Sequence, residues 1–381
     1  TDGTITDILK KLEFDVENRS GKITVTVPSW RGDVSIVADI SEEVARIYGY
    51  DKIPSTAPFG SLKQGKQSYT QTIIDHAKDV LTAAGLTEIV TFSFTHPDTL
   101  DKLIVPADSD LRQAIQLLNP ITDDFPLLRT TLLGGLMETI VANLAQKNDD
   151  LKIFEIGAVF RPKALPLNEL PDEPIMLAGA LTGKRHAPAW NQPREALDFY
   201  DAKGVVEVLL ESLGIRDYTV KRGEHYAMHP GKTAVFVYNG TVMATVGEAH
   251  PQVLDNFGIS RPVYLFEVAV ANLVDNASLT PRYQPLPKFP AVNRDIAMIF
   301  PQTVAAAEIK QAIVASAGKL LANVTLFDVF TGGNIPPNCR SLAFSLTFRA
   351  PDRTLTDEEV DGYVAKVVEC LEATFGAKIR G

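Results

Sequence analysis

A chain of 381 residues, 45% hydrophobic and 22% charged, has room for two or three domains and the balance of a globular protein. Its net charge of -10 and pI of 5.2 exclude indiscriminate nucleic-acid binding, which rests on phosphate neutralisation by Lys and Arg. No apolar run approaches the roughly 20 residues of a membrane span, and Cys339 and Cys370 alone can build neither a disulfide framework nor a Cys-based zinc site. A reduced, cytoplasmic setting is expected. The opening TDGTITDILKKLEF has no Met and no basic-then-apolar signal pattern, so the chain is expected to start inside a longer protein. From Lys288 onwards ten basic residues balance ten acidic ones, so the whole negative charge lies earlier.

The elements fall into three blocks. In the first, residues 1–58, ITDILKKLEFDVE reads as a short amphipathic helix and then a strand. KITVTVPSW alternates as a strand, with Ile23, Val25 and Val27 on one face. Ile36, Ile40, Val44 and Ile47 then step at helical spacing, and Gly49 is a natural stop. SLKQGKQSYT, residues 61–70, reads as a linker.

The second block, assigned to residues 59–280, opens with the amphipathic helix TQTIIDHAKDVLTAAGL, closed by Gly85. TEIVTFSF is expected as one strand and LLRTTLLGGLMETIVANLAQ as a turn and a long helix. LKIFEIGAVF, IMLAGALTG, TAVFVYNG, TVMATVGEA and VYLFEVAV read as strands, with DAKGVVEVLLESLGI as a helix among them. Short Gly and Asn turns make the sheet largely antiparallel. No Gly-rich loop follows a strand, which excludes a P-loop or dinucleotide fold.

A Pro-rich hinge, PRYQPLPKFP, leads into the third block, 284–381. RDIAMIF is a strand, AAEIKQAIVASAGKLLANV a helix, and TLFDVFTGG and RSLAFSLTFRA strands. The last helix, TDEEVDGYVAKVVECLEATFG, has a capping box from Thr356 to Glu359. The order β-α-β-β-α describes a ferredoxin-like sandwich with its last strand short or absent. The fold class is therefore α+β in three parts.

The chemistry-bearing residues concentrate near the N-terminus. At about 100 degrees per residue, Asp39, Glu42, Glu43 and Arg46 share one arc of a helix, with Asp33 near its start. Clustered carboxylates suit a hard cation such as magnesium. The same spacing also describes an ordinary helix surface, with Glu42 and Glu43 paired to Arg46 and Asp33 or Ser35 as the N-cap. Six histidines are scattered with no metal-ligand spacing. Arg129, at a helix start, can hold a carboxylate or phosphate, or form a structural ion pair.

Taken jointly, these segments resemble a known family. Trp30-Arg31-x-Asp33, Asp39, Glu42-Glu43, Arg46 and Gly49-Tyr50-Asp51-x-Ile53-Pro54 resemble the B5 domain of the bacterial phenylalanyl-tRNA synthetase β subunit. Asn119-Pro120, LLRTTLLGGL (127–136) and FEIG (154–157) are similar to its class II synthetase-like core. PKFPAVNRDIAMIF (287–300) resembles the start of its ferredoxin-fold anticodon-binding domain.

The resemblance implies an α2β2 enzyme that joins phenylalanine to tRNA-Phe using ATP bound in the α subunit. The β core then scaffolds α and is not itself catalytic. The resemblance further assigns a magnesium site to Asp33, Asp39, Glu42 and Glu43. It implies anticodon-stem contact by the last domain, for which Arg294, Arg349 and Arg353 are the phosphate-contact candidates. The residues agree with a silent core: LKIFEIGAVF has no Arg before Arg161 to clamp an ATP phosphate. A Gly-x-Gly-x-x-Arg is also missing where Gly247-Glu248-Ala249-His250-Pro251 stands. The family's RNA-binding and editing modules precede this point, so the chain is expected not to edit. The alternative is a freestanding, non-catalytic RNA- or protein-binding module with a synthetase-like core.

Overall fold

Residues alternate between two apolar layers along the longer strands of the largest sheet, and that alternation organises it. The computed structural model describes residues 1–61, 65–283 and 285–380. Part of the expected linker (62–64), the expected start of the third part (284) and the last residue lie outside them. The chain forms two compact units, Thr1–Lys66 and Gln67–Gly381.

In the first unit, α1 (Asp2–Lys11) is followed by the hairpin β1 (Asp15–Arg19) and β2 (Lys22–Thr26), then α2 (Val37–Tyr48). Leu9, Phe14, Val16 and Val34 form its small core, with Ile23, Val25, Val27, Ile40 and Val44 packed around it. The apolar stripe expected on α2 is only half used. Ile40 and Val44 pack inward, whereas Ile36 and Ile47 are exposed. Ile36 precedes the helix as its N-cap residue, in place of the expected Asp33 or Ser35. Gly49 ends the helix with φ of 109°, a backbone state that favours glycine.

The second unit begins with α3 (Tyr69–Ala83), β3 (Thr87–Glu88), β4 (Phe94–Thr95), α4 (Thr99–Lys102), β5 (Leu127–Leu128) and α5 (Leu133–Ala145). It continues with β6 (Leu151–Ala158), β7 (Ile175–Thr182), α6 (Phe199–Ser212), β8 (Thr219–Arg222), β9 (Met228–Tyr238) and β10 (Thr241–Ala249). Next come α7 (Pro251–Asn256), β11 (Tyr264–Ala269) and α8 (Val270–Asn276). The seven-stranded sheet runs β3-β6-β7-β11-β10-β9-β8, antiparallel except where β3 meets β6. The single strand expected over TEIVTFSF is in fact two short pieces. Thr91 lies between them, and its N–H and hydroxyl both donate to Glu155, so it is not free to extend a ladder.

Both faces of this sheet are covered. Phe154, Leu177, Leu181, Phe236 and Phe266 face α3, α6 and α8. Ile153, Ala178, Ala180, Met228 and Leu265 face α5 and α7. Gly179 lies opposite Phe266 in the β7–β11 register, and a Cβ there would collide with the ring. A residue without a side chain is what lets the aromatic fill that layer.

The remaining elements are β12 (Val292–Pro301), α9 (Ala306–Ala317), β13 (Leu321–Phe330), β14 (Cys339–Phe348), α10 (Asp357–Phe375) and β15 (Lys378–Ile379). The expected helix through KLLANV ends earlier, because Gly318 (φ of 75°) stops α9 and Leu321 already starts a strand. The four-stranded order β13-β14-β12-β15 closes a ferredoxin-like sandwich, and its last strand is short. Leu342, Phe344, Leu346 and Phe348 are buried with residues of α9 and α10. Thr356 and Glu359 form the expected capping box of α10.

Candidate functional site

The segment after β2 turns back so that Arg31 meets the first turns of α2. Its guanidinium grips Asp33, with Nε and Nη2 donating to the carboxylate at 3.0 and 2.7 Å. Nη2 also donates to Glu43 at 2.9 Å, and Arg46 donates to the other oxygen of Glu43 at 2.6 Å. The Arg31 guanidinium carbon lies 5.5 Å from the centre of the Phe14 ring, a cation–π contact that fixes its plane. Asp39 does a different task. One of its oxygens accepts from the N–H groups of Ser35 and Ile36 at 2.7 and 2.9 Å. It thereby caps the helix from inside, because Ile36 has no polar side chain to cap it from outside.

These contacts set the electrostatics. Hydrogen bonds from Arg31 hold the Asp33 carboxyl below the usual carboxylate range. Those from Arg31 and then Arg46 do the same for Glu43. The backbone N–H groups of Ile36 and Ser35 lower Asp39. Glu42 is exposed and has no ion-pair partner among the described residues.

As arranged, the residues do not fit a magnesium ion. A hard cation needs several oxygens converging on one point. Here both oxygens of Asp33 and Glu43 and one of Asp39 are already accepting hydrogen bonds. Among the described residues no group of three or more His, Cys, Asp or Glu is disposed to hold a metal.

In the core, Arg129 forms an internal ion pair. It donates to Glu155 at 2.6 Å, to the Ala158 carbonyl at 2.9 Å and to the Thr91 hydroxyl at 3.0 Å. Both partners of the pair are buried. A cavity beside it is lined by Val90, Phe92, Phe125, Arg129 and Glu138. Partial desolvation on the cavity wall holds the carboxyl of Glu138, an exposed residue, above its ordinary range. Among the histidines, His225 meets Glu267 at 3.0 Å and His250 accepts from the N–H of Gln252 at 3.1 Å, whereas the buried Nε2 of His76 has no partner among the described residues.

The three arginines expected to contact RNA are dispersed. Arg294 donates to Asp357 and Asp361 at 2.6 and 2.9 Å, and Arg353 donates to Glu359 at 2.9 Å. Arg349 is half-buried, with its Nε unpaired among the described residues. On the sheet face away from α9 and α10, Arg380 lies over the Phe330 ring, 4.7 Å from its centre. Ala343 and Ala297, small register partners, lie between the strands that carry the two.

Three family models match the chain in order. The tRNA synthetase B5 domain matches residues 1–50, the phenylalanyl tRNA synthetase beta chain CLM domain residues 53–270, and the ferredoxin-fold anticodon binding domain residues 287–380. The chain belongs to the phenylalanyl-tRNA synthetase beta chain family. It is 38% identical over 376 residues to the phenylalanine–tRNA ligase beta subunit of Clostridium acetobutylicum, which covers 98% of this chain and 46% of that protein. It is 41% identical over 360 residues to the one of Symbiobacterium thermophilum, covering 94% of this chain and 40% of that protein. The chain thus spans about half the length of the curated relatives it matches. A structural comparison with a pyrrolysyl-tRNA synthetase from Desulfitobacterium hafniense gives a TM-score of 0.42 at 16% identity, over 54% of this chain and 68% of that one. The fold assignment rests on the family models, not on that likeness.

Within the synthetase beta chain family's B5 segment, Arg31 is the partner of the acidic residues that spacing alone missed. It lies outside the helical arc that the periodicity defines and reaches the acidic residues only by chain reversal. The signal was present in its two-residue separation from Asp33. Phe330 was missed for a related reason: β14 carries no aromatic on its open face, and Phe330 comes to that face from the neighbouring strand.

Proposed function

We propose that this chain is the portion of a phenylalanine–tRNA ligase β subunit that scaffolds the catalytic α subunit and contributes to holding tRNA-Phe, in a cytoplasmic α2β2 assembly. In this reading residues 1–58 are the B5 domain, 59–280 the synthetase-like core and 284–381 the anticodon-binding domain. The observation that carries it is the order of three family domains along one chain.

The core supports a scaffold rather than a catalyst. Its sheet is filled by apolar side chains on both faces, and Arg129 is spent on Glu155. Held by Glu155, the Arg129 guanidinium is not available to stabilise charge on a transferring phosphate. ATP is therefore assigned to the α subunit. Magnesium belongs to the assembled enzyme, with Asp33, Asp39, Glu42 and Glu43 as the carboxylates the family resemblance designates. Glu42 is the one whose oxygens need no release. Arg294, Arg349 and Arg353 are assigned to tRNA phosphates, which Arg294 and Arg353 reach by exchanging a carboxylate for a phosphate, a like-for-like acceptor. Phe330 with Arg380 adds a stacking platform on the open sheet face.

The test is co-purification of this chain with the matching α subunit, with and without magnesium, together with phenylalanine-dependent pyrophosphate exchange. A stoichiometric complex, with exchange only when α is present, is the expected result. Exchange by this chain alone would overturn the silent core. Absence of a complex, where a full-length relative forms one, would overturn the scaffold.

A further inference from the structure

The magnesium assignment and the geometry disagree, and Arg31 is where they disagree. We infer that the Arg31 guanidinium and a divalent ion are competing occupants of the Asp33 and Glu43 carboxylates, and that in this chain Arg31 holds the position. The ion's identity rests on the magnesium reading above; the competition rests on the contacts alone.

Nε and Nη2 face Asp33, and Nη2 also reaches Glu43, so one planar cation bridges the two. That fork matches a carboxylate's geometry in a way a lysine ammonium cannot. Phe14 backs the plane of the fork, and Arg46 completes the coordination of Glu43 from the helix side. A metal ion placed between Asp33 and Glu43 would sit against a like charge at contact distance. That cost disappears once Arg31 swings out. Asp39 is indifferent to the exchange, since its contacts are backbone N–H groups. Glu42, exposed on the same helix, is poised as the first carboxylate an arriving ion meets.

The experiment is a manganese titration of the full chain, read by the electron paramagnetic resonance of the free ion. Arg31→Gln is expected to bind manganese about ten- to a hundredfold more tightly than the wild type, the span of a charge-assisted hydrogen bond lost by the competitor. Adding Glu43→Gln to that variant should remove the gain. Equal affinity of wild type and Arg31→Gln, abolished in both by Glu43→Gln, would overturn the competition and leave the magnesium reading standing. Equal affinity that Glu43→Gln does not alter would overturn both.

If Arg31→Gln does not fold, as circular dichroism would show, the wild-type chain decides through the nuclear magnetic resonance signal of the Arg31 Nε–H group. Magnesium should move that signal towards the position of a solvent-exposed guanidinium. A signal that stays in place while manganese broadens the α2 resonances around Glu43, so that ion and guanidinium sit there together, overturns the inference.

Discussion

Each compact unit contains an arginine–glutamate pair, and the two pairs behave as different devices. Arg129 and Glu155 meet at 2.6 Å with both residues buried, at 7% and 1% exposure. Arg31 and Glu43 meet at 2.9 Å, with the Glu43 side chain 11% exposed and the Arg31 side chain 21% exposed. The inner pair is completed by Thr91 and by the Ala158 carbonyl, so neither partner can leave without exposing an unpaired charge to the core. The rim pair, with the Arg31 side chain open to solvent, can trade its guanidinium for water. Identical chemistry is thus a fixed strut in one place and an exchangeable contact in the other, and burial decides which.

The largest effect should come from breaking the inner pair. Arg129→Met leaves Glu155 buried without a counter-charge, at a cost of about 3–5 kcal/mol. Urea denaturation of the chain should show a large fall in the midpoint of the second unit. A shift no larger than that of a surface substitution would mean that the pair is not a strut. A smaller effect should come from overfilling the same core. Gly179→Ala puts a methyl group into the Phe266 ring, and forcing side chains to move in a packed layer costs about 1–3 kcal/mol. Rescue by Phe266→Leu, measured in the same denaturation, would place the cost at that contact.

Most of the fold was legible because its signals are local. Alternation located β6, β7, β10 and β11, and glycines marked where α2 and α3 stop. The failures share one cause. KLLANV has apolar spacing that suits the end of a helix or the start of a strand, and only the positive φ at Gly318 separates them. TEIVTFSF has the composition of one strand, but the demand of buried Glu155 for donors interrupts it at Thr91, which is 64 residues away in sequence. At the site, the helical arc of Asp39, Glu42, Glu43 and Arg46 could be read from spacing. The engagement of Glu43 could not, because it depends on a chain reversal that brings Arg31 back across 12 residues to it.

The same contrast predicts opposite responses to pH. In the first unit, Asp33, Asp39 and Glu43 have carboxyls lowered by their donors. Groups depressed in the folded state stabilise it above the unfolded value, about 4 for these side chains, and lose that contribution as pH falls through the folded value. In the second unit, partial desolvation on the cavity wall raises the Glu138 carboxyl, although the residue remains exposed. A raised carboxyl leaves the fold at full stability below about 4.3 and weakens it as pH rises through the higher folded value. Acidification from neutral should therefore first tighten the second unit, and only below about pH 4 loosen the first. Hydrogen exchange resolved by segment, with rates corrected for the intrinsic pH dependence of exchange, separates the two. Protection around α5 should rise before protection around α2 falls. Glu138→Gln should abolish the first change and leave the second untouched. Loss of protection at α2 while α5 is still gaining it would mean that Arg31 and Arg46 do not hold the acidic face as the geometry indicates.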